Sequence, residues 1–137
     1  MTNWLISANQ NYYDFVSAFK ELKYIDWTKN ANYENGDIVY IYCSKPYQRI
    51  MYKVEVVKST VHPEDYIDDK KYWTSLEKYR SSRNSGKDCF RIKLLSYIDN
   101  DSLSLDNLLD NGLKSVPLGP RRINHELLNY ICKYFNS

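Results

Sequence analysis

The chain of 137 residues falls in the range of one compact domain spanning 1–137, and its 43% apolar content suffices for one core. No run approaches the roughly 20 apolar residues that span a bilayer, and Met1-Thr2-Asn3-Trp4 lacks the basic and apolar regions of a signal peptide, so the expectation is a cytoplasmic protein with no membrane association. A formal charge of +2 is by itself weak support for a nucleic-acid partner, and three cysteines (Cys43, Cys89, Cys132) without C-x-x-C spacing indicate reduced, mostly buried thiols rather than disulfides or zinc.

In chain order, Trp4-Leu5-Ile6-Ser7 reads as a first strand that leaves the core at the polar turn Ala8-Asn9-Gln10-Asn11. From Tyr12 to Leu22, the spacing of Phe15, Ala18, Phe19 and Leu22 predicts a helix with one buried face. Lys23 to Asn35 has no clean period and predicts a loop that carries Trp27 between Asp26 and Thr28. Ile38 to Cys43 is apolar on both alternating faces, as in a strand covered on both sides. Ile50, Tyr52, Val54 and Val56 form one face of the next strand, with Lys53 and Glu55 turned to water, and the pair predicts an antiparallel hairpin.

Pro63-Glu64-Asp65 predicts a helix opening, continued without Gly or Pro from Tyr66 to Tyr79 and followed by a polar break over Ser81 to Gly86. Alternation over Cys89 to Leu95 predicts a strand with a charged outer face. A short helix at Leu105 to Leu109 ends at Asn111-Gly112. Ile123, Leu127, Tyr130, Ile131 and Tyr134 trace a last helix with Asn124 as its N-cap. The fold class read from these elements is α/β, with short helices between antiparallel strands.

The residue inventory narrows the chemistry. His62 and His125 lie in no ligand spacing, Cys43 on a two-sided strand is a poor nucleophile, and Gly36, Gly86, Gly112 and Gly119 stand too far apart to cradle a phosphate. No metal, cofactor or catalytic residue is indicated. Charge is concentrated instead. Lys70 to Lys93 holds eight basic residues against Glu77 and Asp88, a local net of +6 that leaves −4 for the rest of the chain. Such a segment meets phosphates along one face, or is simply a solvated helix face. The 14 tyrosines suit surfaces where one end of a side chain is dry and the other wet.

Trp4-Leu5-Ile6-Ser7, Ile25-Asp26-Trp27, Gly36-Asp37-Ile38-Val39-Tyr40-Ile41-Tyr42 and Gly119-Pro120-Arg121-Arg122-Ile123, taken in order, resemble an EVE domain. That family belongs to the PUA-like superfamily and is similar to the YTH readers of N-methylated adenine. The resemblance implies a PUA-like fold (α+β), a small twisted β-barrel flanked by short helices. It also implies binding without turnover: capture of a modified, methylated base of DNA or RNA in an aromatic pocket, as the reader half of a bacterial restriction or RNA-modification system with a nuclease partner.

On this reading Trp27 is the first pocket wall, its alternative being a core plug, and Ser7 matches the position where a small polar residue faces the base. Tyr47, Trp73 and Trp4 are candidate second walls or core anchors, and Ser44 is a candidate edge reader. Lys70, Lys71, Arg80, Arg83, Arg121 and Arg122 are candidate phosphate contacts. YTH domains carry an acidic residue near the position of Arg121 and Arg122, so this chain departs from adenine-specific readout. Two other readings remain at this point: a nucleic-acid hydrolase using Asp26 or Asp37, and a tyrosine-rich protein-interaction domain of a defence assembly.

Overall fold

The computed structural model describes residues 1–135. Along the chain lie β1 (Asn3–Ala8), α1 (Phe15–Glu21), β2 (Ile25–Thr28), β3 (Ile38–Cys43), β4 (Arg49–Val61), α2 (Leu76–Arg83), β5 (Cys89–Tyr97), α3 (Leu105–Leu109), β6 (Arg121–Arg122) and α4 (His125–Ile131). The strands form a six-stranded sheet in the order β2-β5-β4-β3-β1-β6. The class is α+β. The sheet is open rather than a closed ring, with β2 and β6 at its two edges.

Both faces of the central strands are covered, which is why β3 is apolar throughout. Val39, Ile41 and Cys43 join Trp4, Ile6, Phe15 and Ala18 in one core, while Tyr40 and Tyr42 join Leu5, Leu108, Leu127 and Ile131 in a second. Helix α1 covers the first face; α3 and α4 cover the other. β1 and β3 pair in parallel, with Leu5 opposite Tyr40, in place of the antiparallel neighbours expected throughout, because the chain passes through α1 and β2 between them. β3 and β4 form the expected antiparallel hairpin. Burial pushes the Cys43 thiol up to about 12; Cys89 is also buried and Cys132 is exposed.

Three further expectations fail for physical reasons. Lys53 is 8% exposed rather than solvated, because β4 lies between β3 and β5; its ammonium sits 5.9 Å from the Tyr40 ring centroid. A register shift opposite Ile41/Tyr42 also sends Ile50 to the second core, while Met51, Tyr52, Val54 and Val56 face the first. The helix expected over 63–79 is replaced by two 3-10 turns, Pro63–Asp65 and Lys70–Tyr72, and α2 begins only at Leu76. Tertiary partners claim the intervening groups: the Asp26 carboxylate accepts the Ile67 N–H at 2.8 Å, and Asp69 is buried. Ser75 then caps α2 by accepting the Lys78 N–H.

The C-terminal third follows its sequence signals. Asn124 accepts the Leu127 N–H at 2.9 Å and donates to the Gly112 carbonyl at 2.7 Å, which ties α4 to the end of α3. Gly112 has φ +112°, and a Cβ there would lie 2.9 Å from the Leu127 nitrogen, so no other residue fits.

Candidate nucleic-acid interface

Residues 12–14 and 72–74 meet in a short antiparallel bridge: the Asp14 N–H donates to the Tyr72 carbonyl at 2.8 Å and the Thr74 N–H to the Tyr12 carbonyl at 3.0 Å. The bridge sets Trp73 against Tyr13, ring centroids 5.1 Å apart at 87°. Trp27 approaches the same tyrosine from β2, at 5.9 Å and 88°, and leans on Phe15 at 5.3 Å. It lies on an edge strand rather than in the expected loop. Four residues are too few to show a period, and the strand is held by pairing, with Trp27 opposite Phe90 and the buried Asp26 bonded to Arg91 at 2.8 Å.

Between these rings opens a cleft of about 330 Å3, lined by Tyr12, Tyr13, Trp27 and Trp73, with Ser7 and Ser82 among its hydroxyl groups. Small-molecule sites typically have volumes of roughly 300–1,000 Å3, mostly apolar walls and a few placed polar groups. Lys78 also lines the cleft, its ammonium 5.1 Å from the Tyr12 ring centroid.

One buried carboxylate fixes two of the walls. Asp69, 1% exposed, accepts from the Tyr13 hydroxyl at 3.0 Å, the Trp73 Nε1 at 3.1 Å and Arg83 at 2.7 Å. Burial, with Asp69 alongside, pushes the Tyr13 phenol far above its ordinary range, so it remains a donor. The three tryptophans differ in their N–H groups. Trp4 donates to Asp37 at 2.9 Å and Trp73 to Asp69, whereas the Trp27 Nε1 has no hydrogen-bond partner among the described residues.

The cleft gathers Ser7, Trp27 and Trp73 of the sequence candidates, and leaves out three others. Trp4 is a core residue, 7% exposed, edge-on to Tyr33 at 5.0 Å. Tyr47 and Ser44 belong to the β3–β4 turn, and the Ser44 N–H is bonded to the Ala8 carbonyl at 2.9 Å. Tyr13 and Asp69 are not marked out by the sequence. Tyr13 reads in sequence as part of a helix that in fact starts at Phe15, and Asp69 sits between Asp68 and Lys70 as if solvated.

The basic segment does not form one face. Arg83, whose side chain is 9% exposed, turns inward to Asp69 and the Asp26 carbonyl, with its guanidinium 5.0 Å from the Tyr66 ring, because the buried carboxylate requires a counter-charge. Arg91 is likewise committed to Asp26. Lys70, Lys71 and Arg80 are exposed, Lys71 pairing with Glu21 at 2.9 Å. Arg121 donates to the Ser115 and Val116 carbonyls, and the Arg122 guanidinium lies 5.7 Å from the Trp4 ring.

Neither carboxylate considered for hydrolysis is open to a substrate. Asp26 is 1% exposed and held by Arg91 and Ile67; Asp37 is 2% exposed and accepts from Thr2, Trp4 and Glu34. Among the described residues no group of three or more His, Cys, Asp or Glu side chains is placed to hold a metal ion, and no helix is long and apolar enough to cross a membrane.

No family model matches the chain, and no curated protein matches it in sequence. Solved structures share its fold. The ASCH protein of Zymomonas mobilis superposes with a TM-score of 0.70 at 11% identity, over 99% of this chain and 97% of that one. Human THYN1, crystallised in complex with 5-methylcytosine-containing DNA, gives 0.62 at 12% identity over 100% of both chains. A hypothetical protein from Leishmania major gives 0.63 at 18% identity, over 97% of this chain and 93% of that one. At these identities the likeness is one of fold.

Proposed function

We propose that the chain is a single EVE-type module that captures a methylated nucleobase in the cleft between Trp27 and Trp73. The observation that carries this reading is the convergence of both indoles, each nearly perpendicular to Tyr13, on one mostly aromatic cleft, with the Trp27 N–H unpartnered among the described residues. A base has two π faces and a polar edge, so stacking gives affinity and hydrogen bonds give identity. Extrusion from a duplex costs a few kcal/mol, and stacking returns about 1–3 kcal/mol per base, which makes aromatic walls the minimum requirement. Ser7, Ser82 and the Trp27 Nε1 supply the edge contacts, and a methyl group takes up apolar wall. Human THYN1, of the same fold, is bound to DNA containing 5-methylcytosine, which makes that base the first probe.

Lys70, Lys78 and Arg80 meet phosphates. Binding alone is the activity, and cleavage of the marked nucleic acid falls to a separate nuclease. Fluorescence anisotropy with matched DNA and RNA oligonucleotides, carrying 5-methylcytosine, N6-methyladenine or neither, tests the reading. The wild type discriminates between modified and plain strands, and Trp27→Ala does not, while its far-ultraviolet circular dichroism is unchanged. Equal affinity of the wild type for modified and plain strands overturns the reading.

A further inference from the structure

Trp73 is shared between two cleft walls. Between the end of α1 and residues 70–79 lies a larger cleft of about 810 Å3 lined by Glu21, Lys70, Lys71, Tyr72, Trp73 and Tyr79 among others. Trp73 therefore lines two adjoining spaces. Tyr79 meets Trp73 edge-on, with centroids 5.9 Å apart at 69°, and the Lys70 ammonium lies 5.9 Å from the Tyr79 ring centroid. Lys70 has no ion-pair partner among the described residues.

Glu21 adds a directional group. Its contacts with the Tyr72 hydroxyl and the Lys71 ammonium both fall on Oε2, and Oε1 has no hydrogen-bond partner among the described residues. These contacts hold the carboxylate below its ordinary range, the Tyr72 hydroxyl contributing most, so it stays an acceptor.

We propose that this second cleft takes the nucleotide next to the captured base. Tyr79 is its stacking platform, Lys70 meets the phosphate between the two nucleotides, and Glu21 Oε1 accepts the exocyclic amine of the neighbouring base. The register of this inference rests on base capture in the first cleft. Aromatic faces are indifferent to sequence, whereas a free carboxylate oxygen is not: adenine and cytosine offer an amine, and thymine and uracil do not. The module then reads a modified base together with its neighbour.

The test titrates the full chain with 5-methyl-2′-deoxycytidine, and with tetranucleotides in which 5-methylcytosine adjoins adenine or thymine. The wild type binds the adenine-containing strand about tenfold more tightly than the nucleoside, the size of one stacked base, and prefers adenine to thymine about fivefold. Tyr79→Ala loses most of the gain over the nucleoside, leaving the phosphate contribution of the lysines, and keeps the nucleoside affinity. Glu21→Ala keeps most of the gain and levels adenine with thymine.

Retention of the full gain in Tyr79→Ala overturns the second cleft, whatever the nucleoside does. If no nucleoside binds but Tyr79→Ala and Glu21→Ala still weaken and level tetranucleotide binding, base capture fails and the second cleft stands.

Discussion

The Trp73 indole and the Tyr13 phenol, 5.1 Å apart and nearly perpendicular, send their polar hydrogens to opposite oxygens of one carboxylate, that of Asp69. The shape of the cleft thus depends on a residue outside its lining. Asp69→Ala strands Arg83, whose side chain is 9% exposed, and breaking a buried pair from one side costs about 3–5 kcal/mol. Urea unfolding is expected to show that loss. Asp69→Asn, which keeps two of the acceptor contacts, recovers part of it. Near-ultraviolet circular dichroism reports the freed indole separately.

On the proposed function, Trp4 serves stability and Trp27 recognition. Trp4 is 7% exposed, donates to Asp37 and packs on Tyr33, so Trp4→Ala is expected to cost about 3–5 kcal/mol in unfolding free energy. Its discrimination between modified and plain strands is unchanged wherever the variant is folded. Trp27→Ala has the reverse profile, because Trp27 is half-buried at a sheet edge and its N–H is bound to nothing among the described residues. Chemical denaturation and anisotropy on the same two variants distinguish the roles.

The contrast between those tryptophans marks what the sequence reveals. Contiguous runs such as Ile38–Cys43, and capped stripes such as that of α4, are legible because local pattern and tertiary role agree. Trp27 and Trp73 stand out as residue types and Ser7 through the family resemblance, and the structure brings all three to one cleft. Tyr13 and Asp69 are invisible in sequence because their roles come from a contact between segments 56 residues apart. The same contact breaks the helix expected over 63–79. The sign of local charge misleads for a related reason: Arg83 and Arg91 contribute to a basic segment on paper, yet both neutralise buried aspartates in the fold.

Asp37 predicts the acid limb of stability. Burial raises its pKa, but hydrogen bonds from the Thr2 N–H, Trp4 Nε1 and Glu34 N–H outweigh burial and hold the carboxyl below its ordinary value. A group whose folded pKa lies below its unfolded one stabilises above the unfolded value, about 3.9 for aspartate, and loses that contribution as pH falls through the folded value. Asp37→Asn is therefore expected to melt at lower temperature near pH 7 and to lose less on acidification below about pH 4. Thermal melts from neutral to acid pH check the convergence. Parallel curves for the two proteins would contradict it.

If the chain binds nucleic acid as proposed, salt dependence separates the cations that meet phosphate from those that serve the fold. Each phosphate contact steepens the fall of log affinity with log salt by roughly 0.7–0.9, so losing one exposed contact lowers the slope by about that much. Arg80 is exposed with no ion pair among the described residues, and Arg80→Gln is expected to weaken modified and plain strands alike and to flatten the slope. Lys71→Gln changes it less, since Glu21 already balances that ammonium. Arg91→Gln leaves the slope intact and lowers the urea midpoint, because its guanidinium is spent on Asp26 at 2.8 Å. Affinities at several salt concentrations, set beside unfolding curves for the same variants, decide each assignment. A flattened slope in Arg91→Gln would place its charge on the nucleic acid rather than on the buried carboxylate.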